Sequence, residues 1–159
     1  MKSDTAKQIG YLVLFLFINF GSLALGSLIM GNETESSWYL NLDKAPWNPP
    51  GWLFGVAWTT IMICFSIYLS YLFTIRNSLY VKGLFTLQVI LNIAWSYWFF
   101  ALHMTLVGLV NITLLTMLII YLFISFGDGK LSKARFLLLP YIIWLCLATS
   151  LNAYIVFYN

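Results

Sequence analysis

The sequence predicts an all-α integral membrane protein, a bundle of five transmembrane helices with a long Pro/Trp-rich first loop. Three observations lead there. Of 159 residues, 62% are hydrophobic and 19% aromatic, while only 8% are charged; a soluble domain carries roughly 25% charged residues. Five stretches contain no Asp, Glu, Lys or Arg: 9–30, 52–75, 83–102, 104–126 and 136–158. Each reaches the roughly 20 residues that cross about 30 Å of hydrocarbon, and each is far longer than a barrel strand. Backbone groups in lipid must be satisfied within their own segment, which favours helices. Third, seven of the eight Lys and Arg residues fall on one side of such a bundle. The composition, with a mean hydropathy of +0.89, excludes a soluble enzyme, a disordered chain and a basic nucleic-acid binder. The chain reads as one domain over 1–159. It has no internal repeat, and an odd number of spans does not divide into two inverted halves.

Span one follows Lys2 and Lys7. Its apolar run continues to Met30, longer than a signal-peptide core, so it is expected to be a retained helix. It carries Asn19, and Ser22 and Gly26 form a small-xxx-small pair suited to close helix packing within the bundle. The first loop, 31–51, holds Trp38, Tyr39, Lys44, Trp47, Asn48, Pro49 and Pro50. Prolines stiffen it and keep it from being helical. Asn48 is the expected N-cap of span two, with Pro49 at its first helical position. Tryptophans here suit an interfacial belt. A loop this long and stiff also suits a lid over the bundle mouth.

Span two brings Trp58, Met62 and Phe65 to one face. Arg76 and Lys82 flank the next link. Span three places Gln88, Asn92, Trp95 and Phe99 at steps of four, three and four, a single helical face. The break around His103 is barely a turn and predicts an antiparallel hairpin into span four, which carries Asn111. Lys130, Lys133 and Arg135 precede span five, where Tyr141, Trp144, Ala148 and Asn152 fall within roughly 80° of arc. The positive-inside rule then puts the N-terminus inside, the C-terminus outside and the first loop outside.

The spans hold no ionisable carboxylate, lysine or arginine, which an ion-coupled transporter usually needs. His103 stands at a helix end without Cys, Asp or Glu at ligand spacing, so no metal site is expected. Cys64 and Cys146 make neither a disulfide framework nor a metal motif. No phosphate loop, nucleophile elbow or carboxylate pair occurs. The amide and aromatic stripes must face inward, because an amide facing lipid is costly. Two readings stay open. The amides can be interhelical glue, commonly worth about 0.6 kcal/mol each. Or they can line an uncharged, aromatic-walled pocket for a large, flat, mostly apolar ligand.

These residues together resemble the TspO/MBR family, the tryptophan-rich sensory proteins related to the mitochondrial translocator protein. The resemblance rests on Trp38-Tyr39, Lys44, Trp47-Asn48-Pro49-Pro50, Trp52 and Trp58; on Gln88, Leu91-Asn92, Trp95 and Phe99-Phe100; and on Pro140-Tyr141, Trp144, Ala148-Thr149 and Leu151-Asn152. It implies a five-helix bundle, often a homodimer, with a ligand cavity beneath the first loop. Family members bind porphyrins, haem-related tetrapyrroles and synthetic aromatic ligands, some bind sterols, and some degrade protoporphyrin in light. The resemblance carries Trp58, Asn92, Trp95, Trp144, Ala148 and Leu151 over as cavity positions, and Trp58 and Trp144 as the pair tied to porphyrin chemistry. Gln88 and Phe99 join them from the face of span three.

The chain departs from the family pattern in three places. Trp95-Ser96-Tyr97-Trp98 lacks a proline that many members carry, which predicts a straighter span three. Val107 stands where animal members place a ligand-contacting tryptophan. Tyr154 is not followed by Lys or Arg, so the proposed cholesterol motif is incomplete. The expectation is a bacterial, sterol-independent member in the cell membrane. It would be a sensor or regulator binding a tetrapyrrole or lipid-like small molecule, with no required cofactor and no nucleic-acid partner. Transport of porphyrins or lipids is the rival reading, and a ligand-free structural bundle is the third. Enzymatic activity, if present, would be light-dependent oxidation of protoporphyrin IX at Trp58 and Trp144.

Overall fold

The computed structural model describes the backbone of residues 2–159 and side chains from Asp4 onward. Among the described residues there are helices and turns and no strand. Five segments are long and apolar enough to cross a membrane: Asp4–Met30, Gly51–Ile75, Leu79–Ala101, Thr105–Ser125 and Leu131–Tyr158. The first is part of α1 (Lys2–Met30), and α2 (Ser37–Asn41) is a short helix in the first loop. The remaining helices are α3 (Gly51–Ile75), α4 (Leu79–Ser96), α5 (Thr105–Ser125), α6 (Leu131–Ala134) and α7 (Leu139–Tyr158).

The long helices close into a ring. Helix α1 packs on α3 and α4, α4 on α5, α5 on α7, and α7 returns to α3. Interhelical hydrogen bonds pin this order: Asn19 Nδ2 to Ser66 Oγ (2.9 Å) joins α1 to α3, and Asn111 Nδ2 to the Leu91 carbonyl (2.8 Å) joins α5 to α4. Thr116 and Thr149 hydroxyls, 3.2 Å apart, join α5 to α7. Toward the basic end the interior is solid. Phe65, Tyr68, Leu69 and Leu72 from α3 bury with Ile119 and Leu122 from α5 and with Leu138 and Leu145.

The helices overrun the uncharged stretches. Helix α1 takes in Asp4 and Lys7, and α4 begins before Lys82. Long cationic side chains in an end turn can reach the interface, so a charge does not end a helix there. What starts α4 is a cap, Ser78 Oγ accepting from the Val81 N–H at 3.2 Å. The fifth span begins early, with α6 and a 3₁₀ turn over Arg135–Leu138 ahead of α7.

Three local expectations are corrected. The loop is not free of helix: Ser36 Oγ accepts from the Tyr39 N–H (3.2 Å) and caps α2. Helix α3 is capped at Pro50, not at Asn48. Pro49 precedes a proline, and that crowding pushes it out of the helical region, so the helix waits until Gly51. Span three is not regular to its end. Its last turn, Tyr97–Ala101, is π-helical, with the Leu102 N–H reaching back five residues to the Tyr97 carbonyl at 3.1 Å. The widened turn leads into the tight link at His103, whose φ of +53° is left-handed.

Candidate ligand cavity

The half of the bundle beneath the first loop is hollow. A cavity of about 640 Å³ lies between α1, α3, α4, α5 and α7 and is roofed by loop residues Tyr39, Lys44, Asn48 and Pro49. That is within the roughly 300–1,000 Å³ of small-molecule sites. Its walls include Trp58 and Phe54 from α3, Asn92 and Trp95 from α4, and Trp144 and Ala148 from α7.

The wall is held from behind. Tyr141 is fully buried; its hydroxyl accepts from Gln88 Nε2 at 2.9 Å and donates to Asn92 Oδ1 at 3.4 Å. The Trp95 indole N–H donates to Asn152 Oδ1 at 3.2 Å, and Asn152 Nδ2 donates to the Ala148 carbonyl at 2.9 Å. Trp95 stacks on Phe99 with centroids 5.5 Å apart. Trp144 meets Phe54 edge-on at 5.1 Å, and Trp58 meets Tyr141 edge-on at 6.1 Å. Among the described residues no protein group accepts from Asn92 Nδ2 or from the indole N–H of Trp58 or Trp144. Buried indole N–H groups usually find a partner; these three groups belong to residues that line the cavity.

Loop one is docked rather than draped. The Trp38 indole stacks flat on the His103 imidazole, centroids 3.8 Å apart and planes 8° apart. His103 Nε2 lies 3.1 Å from Glu33 Oε2. At the other end of the loop, the Asp43 N–H donates to Asn159 Oδ1 (2.8 Å), and the Trp47 indole donates to Ser150 Oγ (3.1 Å). Burial raises the Tyr39 phenol above its ordinary range, and the Lys44 ammonium lies over its ring, 4.4 Å from the centroid.

The residues singled out from the sequence divide accordingly. Trp58, Asn92, Trp95, Trp144 and Ala148 line the cavity, as do Tyr39, Asn48 and Pro49 of the loop. Gln88, Phe99 and Leu151 do not: all three are buried, Gln88 on Tyr141 and Phe99 between Trp38 and Trp95. Trp38, Trp47 and Pro50 lie outside the lining too. Trp38 anchors the loop, and Trp47 is half exposed against Tyr154. Sequence reasoning missed the contribution of α1, where Ser22, Leu23, Gly26, Ser27 and Met30 form one wall. The small pair Ser22 and Gly26 was the available signal. It does serve packing, since a Cβ on Gly26 would come within 3.2 Å of Ser96 Oγ, but small side chains also leave the space.

The fold and its hollow half define a multi-pass membrane protein with an aromatic- and amide-walled cavity between its helices. The model of the TspO/MBR family matches residues 12–158, and the chain belongs to that family. It is 37% identical over 122 residues to the tryptophan-rich protein TspO of Archaeoglobus fulgidus, covering 76% of this chain and 78% of that one. It is 28% identical to a tryptophan-rich sensory protein of Cereibacter sphaeroides, over 80% of this chain and 77% of that one. The human translocator protein is 34% identical over 72% of this chain and 70% of its own.

Proposed function

We propose that the protein is a tetrapyrrole-binding sensor or regulator of the bacterial cell membrane, with the porphyrin ring held in the cavity beneath loop one. The observation that carries this reading is the lining. Three tryptophans, Trp58, Trp95 and Trp144, line one space together with Asn92, whose Nδ2 has no acceptor among the described residues. Indole faces suit a flat π-system, and a few fixed donors suit its polar edge. The lining contains no imidazole, because His103 is committed to Trp38 and Glu33. Recognition therefore works through the face and rim of the ring and serves a metal-free porphyrin as well as a haem. The basic links would face inward and the cavity outward. Binding beneath loop one would alter the docking of that loop, which is how an outside ligand would be sensed.

The test is a dark titration of detergent-purified protein with protoporphyrin IX, following tryptophan quenching in wild type and in a Trp58→Phe, Trp144→Phe double variant. Saturable quenching that weakens in the variant, at unchanged thermal stability, supports the reading. Quenching that is linear and identical in both would mean simple partitioning into micelles and end it. Illuminating the same samples asks whether the site also oxidises the pigment: bleaching faster than that of free porphyrin and lost in the variant would add that activity.

A further inference from the structure

The axis of the bundle is filled at its basic end, but the outer surface there is indented. A cleft of about 630 Å³ opens where α3 ends, α4 begins and α5 ends. Its polar lining is Arg76, Asn77, Ser78, Tyr80, Tyr121 and Ser125, with no carboxylate among the described residues that line it. The turn that forms one side is held in place. The Arg76 N–H donates to the Leu72 carbonyl at 2.7 Å, and the Ser78 N–H donates to the Arg76 carbonyl at 3.1 Å. Asn77 Nδ2 donates to the Tyr11 hydroxyl of α1 at 2.7 Å. The Arg76 guanidinium rests over the buried Phe126 ring, 5.7 Å from its centroid. One of its nitrogens bonds Asp128, but both side chains are exposed and such a pair contributes little. A guanidinium has five N–H donors, and among the described residues Asp128 is the one side chain that accepts from it. Tyr80 of α4 and Tyr121 of α5 bring their hydroxyls within 2.7 Å, and Ser125 bonds Tyr121 in turn. Three hydroxyls sharing two bonds have one O–H left to donate.

A guanidinium and a hydroxyl donor in a cleft without a carboxylate make a donor set for phosphate, which Arg grips with its planar fork. Depth and charge say which phosphate. The cleft lies at the ends of three spans, at Ile75, Leu79 and Ser125, the level at which hydrocarbon gives way to headgroups. Around the two links at this end, Arg76, Lys82, Lys130, Lys133 and Arg135 stand against the single carboxylate of Asp128. Basic clusters beside membrane helices attract anionic lipid. From Tyr121 toward the bilayer centre, Met117 and Leu114 continue the same face of α5, and Leu87 lies two turns from Tyr80 on α4; all three are exposed. That is an apolar track for an acyl chain, which a free phosphate would not use. We propose that the cleft is a headgroup site for an anionic phospholipid. Its phosphodiester sits on Arg76 and the remaining hydroxyl donor of the Tyr80–Tyr121–Ser125 chain, and an acyl chain lies along the α4–α5 face. The site is at the far end of the bundle from loop one and does not depend on what fills the cavity there.

The experiment measures binding of radiolabelled phosphatidylglycerol to the full chain, immobilised in a non-ionic detergent, by scintillation proximity. The competitors are unlabelled phosphatidylglycerol, phosphatidylcholine with the same acyl chains, and inorganic phosphate. Wild type should bind the label saturably, and phosphatidylcholine should compete far more weakly than phosphatidylglycerol. Arg76→Gln should weaken phosphatidylglycerol by about tenfold, the loss expected when a hydrogen bond to a charged group goes. Tyr80→Phe with Tyr121→Phe keeps both rings and removes both hydroxyls, and should weaken it several-fold. Lys133→Gln loses the same charge at the same end but lies outside the cleft, and should stay within about twofold of wild type, as screened charges do. Melting curves check that each variant is folded; should Arg76→Gln fail to fold, the tyrosine variant and Lys133→Gln decide between them. Binding that is not saturable, or that phosphatidylcholine competes equally well, overturns the proposal. So does an equal loss in Lys133→Gln and in the cleft variants, which would mean diffuse attraction to a basic surface. Displacement of the label by inorganic phosphate alone would make the occupant a soluble anion and overturn the assignment to lipid.

Discussion

Asn92 and Gln88 are one helical turn apart on the same face of α4, and nothing in the sequence separates their roles. The structure does. Gln88 is 1% exposed and donates a 2.9 Å bond to Tyr141 across the bundle, whereas Asn92 lines the cavity and takes part only in a 3.4 Å contact. Gln88 is therefore glue, and Asn92 has a donor to offer. Gln88→Leu should lower thermal stability, by about 0.6 to 1.7 kcal/mol if it follows other interhelical membrane bonds, and leave porphyrin affinity within about twofold. Asn92→Leu should do the opposite, weakening porphyrin several-fold at nearly constant melting temperature. Paired melting curves and quenching titrations check both. A melting loss in Asn92→Leu as large as in Gln88→Leu, with unchanged affinity, would assign both amides to packing. The choice between glue and pocket that the sequence leaves open thus has a different answer at each residue. Periodicity reports which face a residue shares, not which neighbour its side chain meets.

At the scale of elements, the spans and their inward faces were legible because lipid imposes one dominant rule, that backbone and amide groups be satisfied inside the bundle. The ends were not, since they follow local caps and proline crowding instead of hydropathy. Pro49 preceding Pro50 displaced the start of α3, and Ser36 created α2 within a loop read as irregular. Least legible was the latch. A histidine with no metal partner at ligand spacing looked idle, yet His103 connects loop one to the α4–α5 link by stacking on Trp38 and contacting Glu33. Its left-handed backbone costs about 1–2 kcal/mol in a residue with a Cβ, which these contacts offset. His103→Gly removes both contacts and the backbone cost together. It should free loop one while sparing the transmembrane bundle. Amide exchange over residues 33–41 should quicken by an order of magnitude or more, with α3 and α7 protected as before. Exchange in that segment no faster than in wild type would mean that the far anchors, Asp43–Asn159 and Trp47–Ser150, hold the loop without the latch.

The whole molecule is a ring of five helices that is hollow at one end and solid at the other, and this asymmetry bears on sensing versus transport. Composition and span count predict the ring's membrane setting, but they cannot show where its interior is empty. That depends on which large side chains interdigitate. At the basic end Phe65, Tyr68, Leu72, Ile119, Leu122 and Leu145 fill the axis, none more than 2% exposed, and below Asn92 the Gln88–Tyr141 bond closes the floor. A porphyrin crossing from the loop end would have to displace several of these aromatic and branched side chains at once, and close-packed interiors resist such rearrangement. Alternating access needs two bundles that rock about a central site, whereas this closed ring has one. Proteoliposomes with serum albumin trapped inside as a porphyrin sink should therefore accumulate protoporphyrin no faster than protein-free vesicles of the same lipid. The same proteoliposomes should still show saturable tryptophan quenching from the side the first loop faces. Uptake above the protein-free rate that declines in Trp144→Phe would mean that the packed half opens, and the protein would then be a translocator that uses the cavity as its entry site.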